Sequence, residues 1–295
     1  MAISLTFLGY ALFKVDYGKL LEIDINYTTL SWSILASVMF RFLMTAIWLR
    51  SILNIQESIT TFPKAINIYA TSWVARYIPG GIFSHLGRVI MGKEQGITAK
   101  NSIQASIIET IMQVFSISFI CALLLHFSPA LIPRTQELKL ISIAICSLAI
   151  IGLTPTAMHV VNNALSRLGV QVNEYEQPAR IKFLAPQMGL YIAASLLANL
   201  AFLIFSLSIV GEASYNTISM ILIANMAVSI ASIMIILIPA GIGIREVGLV
   251  FFLMPILGTE LAVAISLASR VWTIICDILF LLIAKAVTNA KVLNQ

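Results

Sequence analysis

Long, nearly charge-free stretches recur along this chain: Leu30–Leu49, Ser102–Leu125, Leu140–Val160, Gln187–Val210, Ile218–Ile238 and Leu261–Lys285. Crossing a bilayer takes roughly 20 apolar residues. Inside the hydrocarbon there is no water for backbone N–H and C=O groups, so each such segment must satisfy its own hydrogen bonds as a helix. Only 11% of the residues are charged and mean hydropathy is +0.97, whereas soluble domains carry about 25% charged residues. The bilayer is therefore the solvent for most of the chain. The expected fold is all-α, a polytopic integral membrane helix bundle.

Two less regular apolar stretches complete the pattern. Ala65–Met91 is interrupted at Pro79-Gly80-Gly81, and Gly241–Leu257 follows Pro239-Ala240-Gly241. Counting these gives about 7–8 spans. The longest polar loop, Asn162–Lys182, is too short to be a domain, so residues 1–295 read as a single membrane domain with no soluble catalytic domain. Met1–Phe13 lacks a leading Lys or Arg and a cleavage signal; it reads as a short or truncated first helix rather than a signal peptide. With the N-terminus inside and each broken stretch forming a helix pair, ten basic loop residues face the cytoplasm, against Lys14, Lys19, Arg134 and Lys139 outside. Basic residues collect on the cytoplasmic side, which predicts that both termini are inside. The inner membrane of a bacterium is the expected location.

The two interruptions resemble each other. Each shows P-x-G-I, then a charge, then a further helix: Pro79, Gly80 and Gly81 lead to Arg88, while Pro239, Gly241 and Gly243 lead to Arg245 and Glu246. Proline removes a helical donor and glycine permits a sharp reversal. Paired Gly/Pro-broken segments in corresponding halves mark transporter binding sites. The two units run in opposite directions in this topology, as re-entrant-like segments of an inverted repeat would. Ordinary packing kinks are the alternative.

Ionisable side chains deep in a membrane are costly and usually face a partner or a watery path. Arg41, Glu109, Arg245, Glu246, Arg270 and Asp277 are such residues here. Glu109, Arg245, Glu246, Arg270 and Asp277 are the candidate substrate-binding residues. Several lie in polar stripes at helical spacing: Ser33, Ser37, Arg41 and Thr45; Ser102, Ser106, Glu109, Gln113 and Ser116; Ser266, Arg270, Thr273 and Asp277. The stripes either line a polar pathway or act as helix–helix glue. Arg245 and Glu246 read equally as ligand groups or as a structural pair at a helix start. Arg76 and Arg88 read as side chains that snorkel to an interface. Lys64 and Lys285 read as interfacial charges.

Other chemistries find no support in the sequence. Cys121, Cys146 and Cys276 form no CxxC pair, and His85, His126 and His159 have no ligand spacing, so no metal or cofactor is expected. Ser84-His85 are adjacent, which builds no hydrolase dyad; GxSxG and Walker A sequences are absent. The net charge of +5 suits loops that meet anionic lipid better than nucleic acid. The chain reads as a non-enzyme.

Arg76-Tyr77-Ile78-Pro79-Gly80-Gly81 and Ile238-Pro239-Ala240-Gly241-Ile242-Gly243-Ile244-Arg245-Glu246 resemble the transmembrane, flippase region of the lysylphosphatidylglycerol synthase/flippase proteins and their stand-alone membrane relatives. Ala240 and Val247 are mild departures from that pattern, and Glu109 and Arg270 fall where similar proteins carry a Glu and an Arg within spans. The aminoacyl-transferase domain of the full-length enzymes has no counterpart here. The resemblance implies flippase-like movement of a charged-headgroup lipid or lipid-linked intermediate. The alternative is a non-transporting accessory subunit of envelope polysaccharide or lipid-glycosylation machinery. Expected partners are membrane lipid, a second copy of the chain, and a separate synthase or glycosyltransferase.

Overall fold

In a computed structural model, the described residues are 18, 23–55, 61–78, 82–127, 135–152, 154, 163, 178–234 and 243–292. They form eight α-helices and one short 3-10 turn, with no strand among them. The helices are α1 (Tyr27–Ile55), α2 (Phe62–Val74), α3 (Phe83–Lys93), α4 (Ala99–Phe127), α5 (Thr135–Gly152), α6 (Pro178–Val210), α7 (Tyr215–Met234) and α8 (Ile244–Val292); the turn is Ala75–Tyr77. Five of them, α1, α4, α6, α7 and α8, contain stretches long and apolar enough to cross a membrane. The short helices α2 and α3 are not among these five.

Polar residues open several helices by accepting a hydrogen bond three residues on, the arrangement that satisfies the orphan donors of a first turn. Asn26 Oδ1 accepts from Thr29 N–H at 3.0 Å before α1, Thr98 Oγ1 from Asn101 N–H at 3.3 Å before α4, and Ser214 Oγ from Thr217 N–H at 3.3 Å before α7. Pro63 occupies the first turn of α2, where its missing N–H costs nothing.

Helix is interrupted next to the first expected break: Ile78 is extended (φ −72°, ψ 133°), as a residue preceding proline should be. Pro79, Gly80 and Gly81 themselves, and Pro239 and Gly241 at the second break, lie outside the described residues. Gly243 is described and has φ 87° immediately before α8, a conformation glycine takes without strain. An interruption between the expected stretches Gly241–Leu257 and Leu261–Lys285 is also present. Gly258 sits inside α8 at φ 81°, ψ 169°, so the stretch bends there rather than running straight for about 70 Å, more than twice a hydrocarbon core.

The helix faces are sorted in the sense a bilayer requires. On α1, Trp32, Leu35 and Met39 point outward, while Ser33, Ser37, Arg41 and Thr45 are buried. On α8, Val271, Ile274, Ile275 and Ile278 are exposed, while Ser266, Thr273 and Asp277 are buried. Two apolar clusters bind the bundle. One joins Met44 and Trp48 of α1, Ile66 and Tyr69 of α2, Met112 of α4, Tyr191 of α6 and Phe280 of α8. The other joins Phe202 and Phe205 of α6, Ile221 and Val228 of α7, and Leu249, Ile265 and Trp272 of α8. Small residues allow close approach: an added Cβ on Gly87 of α3 would lie 3.1 Å from Ser72 Cβ of α2, and one on Gly248 of α8 2.6 Å from Val228 Cγ2 of α7.

Candidate functional site

Among the described residues three carboxylates lie in the interior, each held by an arginine. On α4, Glu109 is 3% exposed and Arg88 of α3 is 2% exposed; Arg88 Nη1 donates to Glu109 Oε2 at 2.8 Å. Tyr69 of α2 donates its hydroxyl to Glu109 Oε1 at 3.2 Å, and the Arg88 guanidinium carbon lies 4.8 Å from the Tyr69 ring centre. The second hand of Arg88, Nη2, reaches Nδ1 of His85 at 3.1 Å.

On α8, Asp277 is surrounded by donors. Arg41 Nε of α1 donates to Oδ1 at 2.7 Å, Trp73 Nε1 of α2 donates to Oδ1 at 3.0 Å, and Tyr77 Oη donates to Oδ2 at 2.6 Å. Arg76 Nε stands 3.9 Å from Oδ2, and its guanidinium carbon lies 4.5 Å from the centre of the Trp73 ring. Arg41 is itself steadied one turn back by the Ser37 carbonyl at 2.8 Å and hydroxyl at 2.6 Å.

The third carboxylate, Glu246, forms an ion pair with Arg270 of the same long helical stretch. Its other oxygen, Oε2, accepts the Gly243 N–H at 2.6 Å, so the side chain folds back and caps its own helix. Arg245 behaves differently. Its Nε is buried and has no hydrogen-bond partner among the described residues. Its guanidinium carbon lies 5.8 Å from the ring centre of Phe202, and it feels the charges of Arg270, Arg76 and Glu246.

Helix α2 and the turn that follows it join the first two sites. Tyr69, Trp73 and Tyr77 recur every four residues, so each stands one turn beyond the last. The Tyr69 and Trp73 rings stack at 5.4 Å, and all three polar tips donate to buried carboxylates. Aromatic side chains with one donor suit this task, because the ring packs in an apolar interior while the tip finds an acceptor. None of the three was singled out in the sequence, although their spacing in the Ala65–Met91 stretch was a usable signal.

Of the expected site residues, Glu109, Glu246 and Asp277 are buried and ion-paired, while Arg245 and Arg270 are partly buried. Arg245, Glu246 and Arg270 come together, and Asp277 joins them through Arg76, whose charge acts on both Asp277 and Arg245. Glu109 belongs to the separate pair with Arg88. Two details differ from expectation. Arg88 does not snorkel outward, because Glu109 gives it a buried countercharge. Glu246 pairs with Arg270 rather than with its chain neighbour Arg245, since adjacent helical side chains diverge. The amide of Gly243, immediately before α8, is taken by Glu246.

The polar stripes face inward as expected. Ser33, Ser37, Thr45, Ser102, Ser106, Ser116, Ser266 and Thr273 are all buried. Many of the hydroxyls donate to the carbonyl one turn earlier, as Thr45 does to Arg41 O at 3.0 Å and Thr273 to Ser269 O at 2.7 Å. Ser33 Oγ also bridges helices by accepting from Trp272 Nε1 at 3.0 Å. Among the described residues no group of three or more His, Cys, Asp or Glu could hold a metal ion.

Apolar spans outside and arginine–carboxylate pairs inside define a polytopic helical membrane protein with a charged interior. The chain belongs to the family described as the lysylphosphatidylglycerol synthase TM region, whose family model matches residues 1–280. A lipid-related role in a membrane follows from that membership. Searches of curated proteins and of solved structures found no match.

Proposed function

We propose that this protein is a flippase-like translocator that moves a lipid with a phosphate-bearing headgroup across the bacterial inner membrane, and that no chemical step is involved. The observation that carries the reading is a local excess of positive charge among the described residues. Four guanidiniums, those of Arg41, Arg76, Arg245 and Arg270, surround the two carboxylates of Asp277 and Glu246. A membrane interior tolerates charge when it is paired, so an arginine excess is best balanced by a visiting anion. Guanidinium is the side chain best matched to a phosphate, through two parallel N–H donors. Arg245 Nε is buried and has no hydrogen-bond partner among the described residues. The family membership supports a lipid as the carrier of that anion.

The reading is tested by reconstituting the protein in vesicles whose outer leaflet carries a fluorescent anionic phospholipid, then following its arrival in the inner leaflet by dithionite quenching. Arg245→Ala is expected to abolish the protein-dependent movement while the protein still inserts and purifies as the wild type does. Movement at the normal rate in this variant overturns the reading. A wild-type protein that moves no lipid, but co-purifies with glycosyltransferases, would make an accessory subunit the better account.

A further inference from the structure

We propose that His85, Arg88 and Glu109 form a proton site that couples lipid movement to a proton gradient, one proton travelling with each anionic headgroup. The inference rests on the transport reading above but uses a different cluster. Its basis is the way Arg88 is shared. Nη1 donates to Glu109 Oε2 at 2.8 Å, and Nη2 faces His85 Nδ1 at 3.1 Å. An arginine has no acceptor, so His85 Nδ1 carries a lone pair, its proton sits on Nε2, and the ring is neutral. Arg88 and Glu109 then cancel, and the cluster is neutral as a whole.

A proton added to Nδ1 removes that acceptor and sets two cations face to face in a buried place. Among the described residues the surroundings supply no further countercharge. The turn contributes Arg76 and Tyr77, α2 contributes Tyr69, α6 contributes Tyr191, and Arg88 and Lys93 share the helix of His85; Glu109 on α4, the carboxylate partner of Arg88, is already committed to it. The added charge is relieved if Arg88 swings to an incoming phosphate. Tyr69, which donates to Glu109 at 3.2 Å, stacks at 5.4 Å on Trp73, which donates to Asp277 at 3.0 Å, so the two clusters adjoin. Once Arg88 has left, Glu109 is a buried carboxylate without its counterion, and the proton takes that place. The proton then passes from His85 Nδ1 to Glu109 Oε2, and Nδ1 recovers its lone pair. Arg88 and phosphate cancel, Glu109 and His85 are neutral, and the loaded state carries no net charge. Neither the proton nor the anion gains as much alone, which is the condition for coupling.

The experiment uses the full chain in vesicles with an imposed pH difference. One proton per lipid across one pH unit corresponds to about a tenfold accumulation of the fluorescent anionic lipid in the leaflet on the less acidic side. His85→Gln, which keeps an acceptor for Arg88 but cannot take the proton, is expected to bring that ratio close to one. A ratio near one for the wild type, accumulation on the acidic side, or an unchanged ratio in His85→Gln each overturns the coupling. A second measurement needs no lipid. Infrared titration in detergent should show a protonated-carboxyl band on acidification that Glu109→Gln lacks, with a midpoint that His85→Gln shifts. No band, or an unmoved midpoint, overturns the proton site even where lipid moves. No lipid movement with the band and the shift intact overturns the transport reading and the coupling, while the proton site stands.

Discussion

The hydroxyl of Tyr77 donates to Oδ2 of Asp277 at 2.6 Å, tying the short turn after α2 to the interior face of α8. Two residues later the chain enters the Pro79-Gly80-Gly81 break. Asp277 is thereby both the countercharge of Arg41 and the anchor of a segment beside the break. A hydrogen bond to a charged partner contributes about 1.5–3 kcal/mol. Tyr77→Phe should therefore lower stability by roughly that amount, read as an earlier thermal transition in detergent. An unchanged transition would show that the contact does not hold the turn.

Breaking the same site from the other side should cost more. Asp277→Ala leaves Arg41 buried without its carboxylate, a loss of about 3–5 kcal/mol. Replacing both members by apolar residues removes the stranded charge, so Arg41→Met with Asp277→Leu should be more stable than Asp277→Leu alone. Thermal melts of the three variants check this. A double variant less stable than either single one would contradict the ion-pair account.

Arg245 should separate function from stability. It makes no ion pair among the described residues and its Nε has no partner there, so Arg245→Ala strands no countercharge. The expected result is a thermal transition near that of the wild type with lipid movement abolished. Lys64 and Lys285 are exposed, and Lys64→Ala and Lys285→Ala should change neither quantity much. Glu109→Ala, by contrast, leaves Arg88 buried and should lose both.

Gly258 should resist substitution. A non-glycine residue at its φ of 81° and ψ of 169° carries strain of about 1–3 kcal/mol, although the nearest atom to an added Cβ, Glu260 Oε2, is 3.7 Å away. Space is therefore not the obstacle. Gly258→Ala is expected to lower the thermal transition, or to straighten the bend in α8, as a spin-label distance pair across it would report. Neither change would mean the bend is unstrained for alanine.

Both termini should face the cytoplasm. Reporter fusions at Met1 and Gln295 check the basic-residue count directly, and a periplasmic signal from either would reject the orientation.

The order of charges along the chain was enough to establish a helical membrane protein, because no other structure satisfies the backbone of such apolar stretches without water. The same physics made Glu109, Glu246, Arg270 and Asp277 legible as interior groups: a charge in a span has few places to go, and the serine and threonine stripes indicated which face would be turned inward. What pairs with what was not legible. Arg41 meets Asp277 across 236 positions, and Arg88 looked like an interfacial side chain until α3 was seen folded against α4. Tyr69, Trp73 and Tyr77 could be placed on one helical face by their spacing, but that spacing alone does not tell a packed aromatic from one whose tip meets a carboxylate. Periodicity is a property of one helix, whereas an ion pair depends on how two helices pack, and that packing is decided by contacts between residues far apart in the chain. Only the tertiary structure gives Arg41, Arg88 and Arg270 their carboxylates and leaves Arg245 Nε without a partner among the described residues.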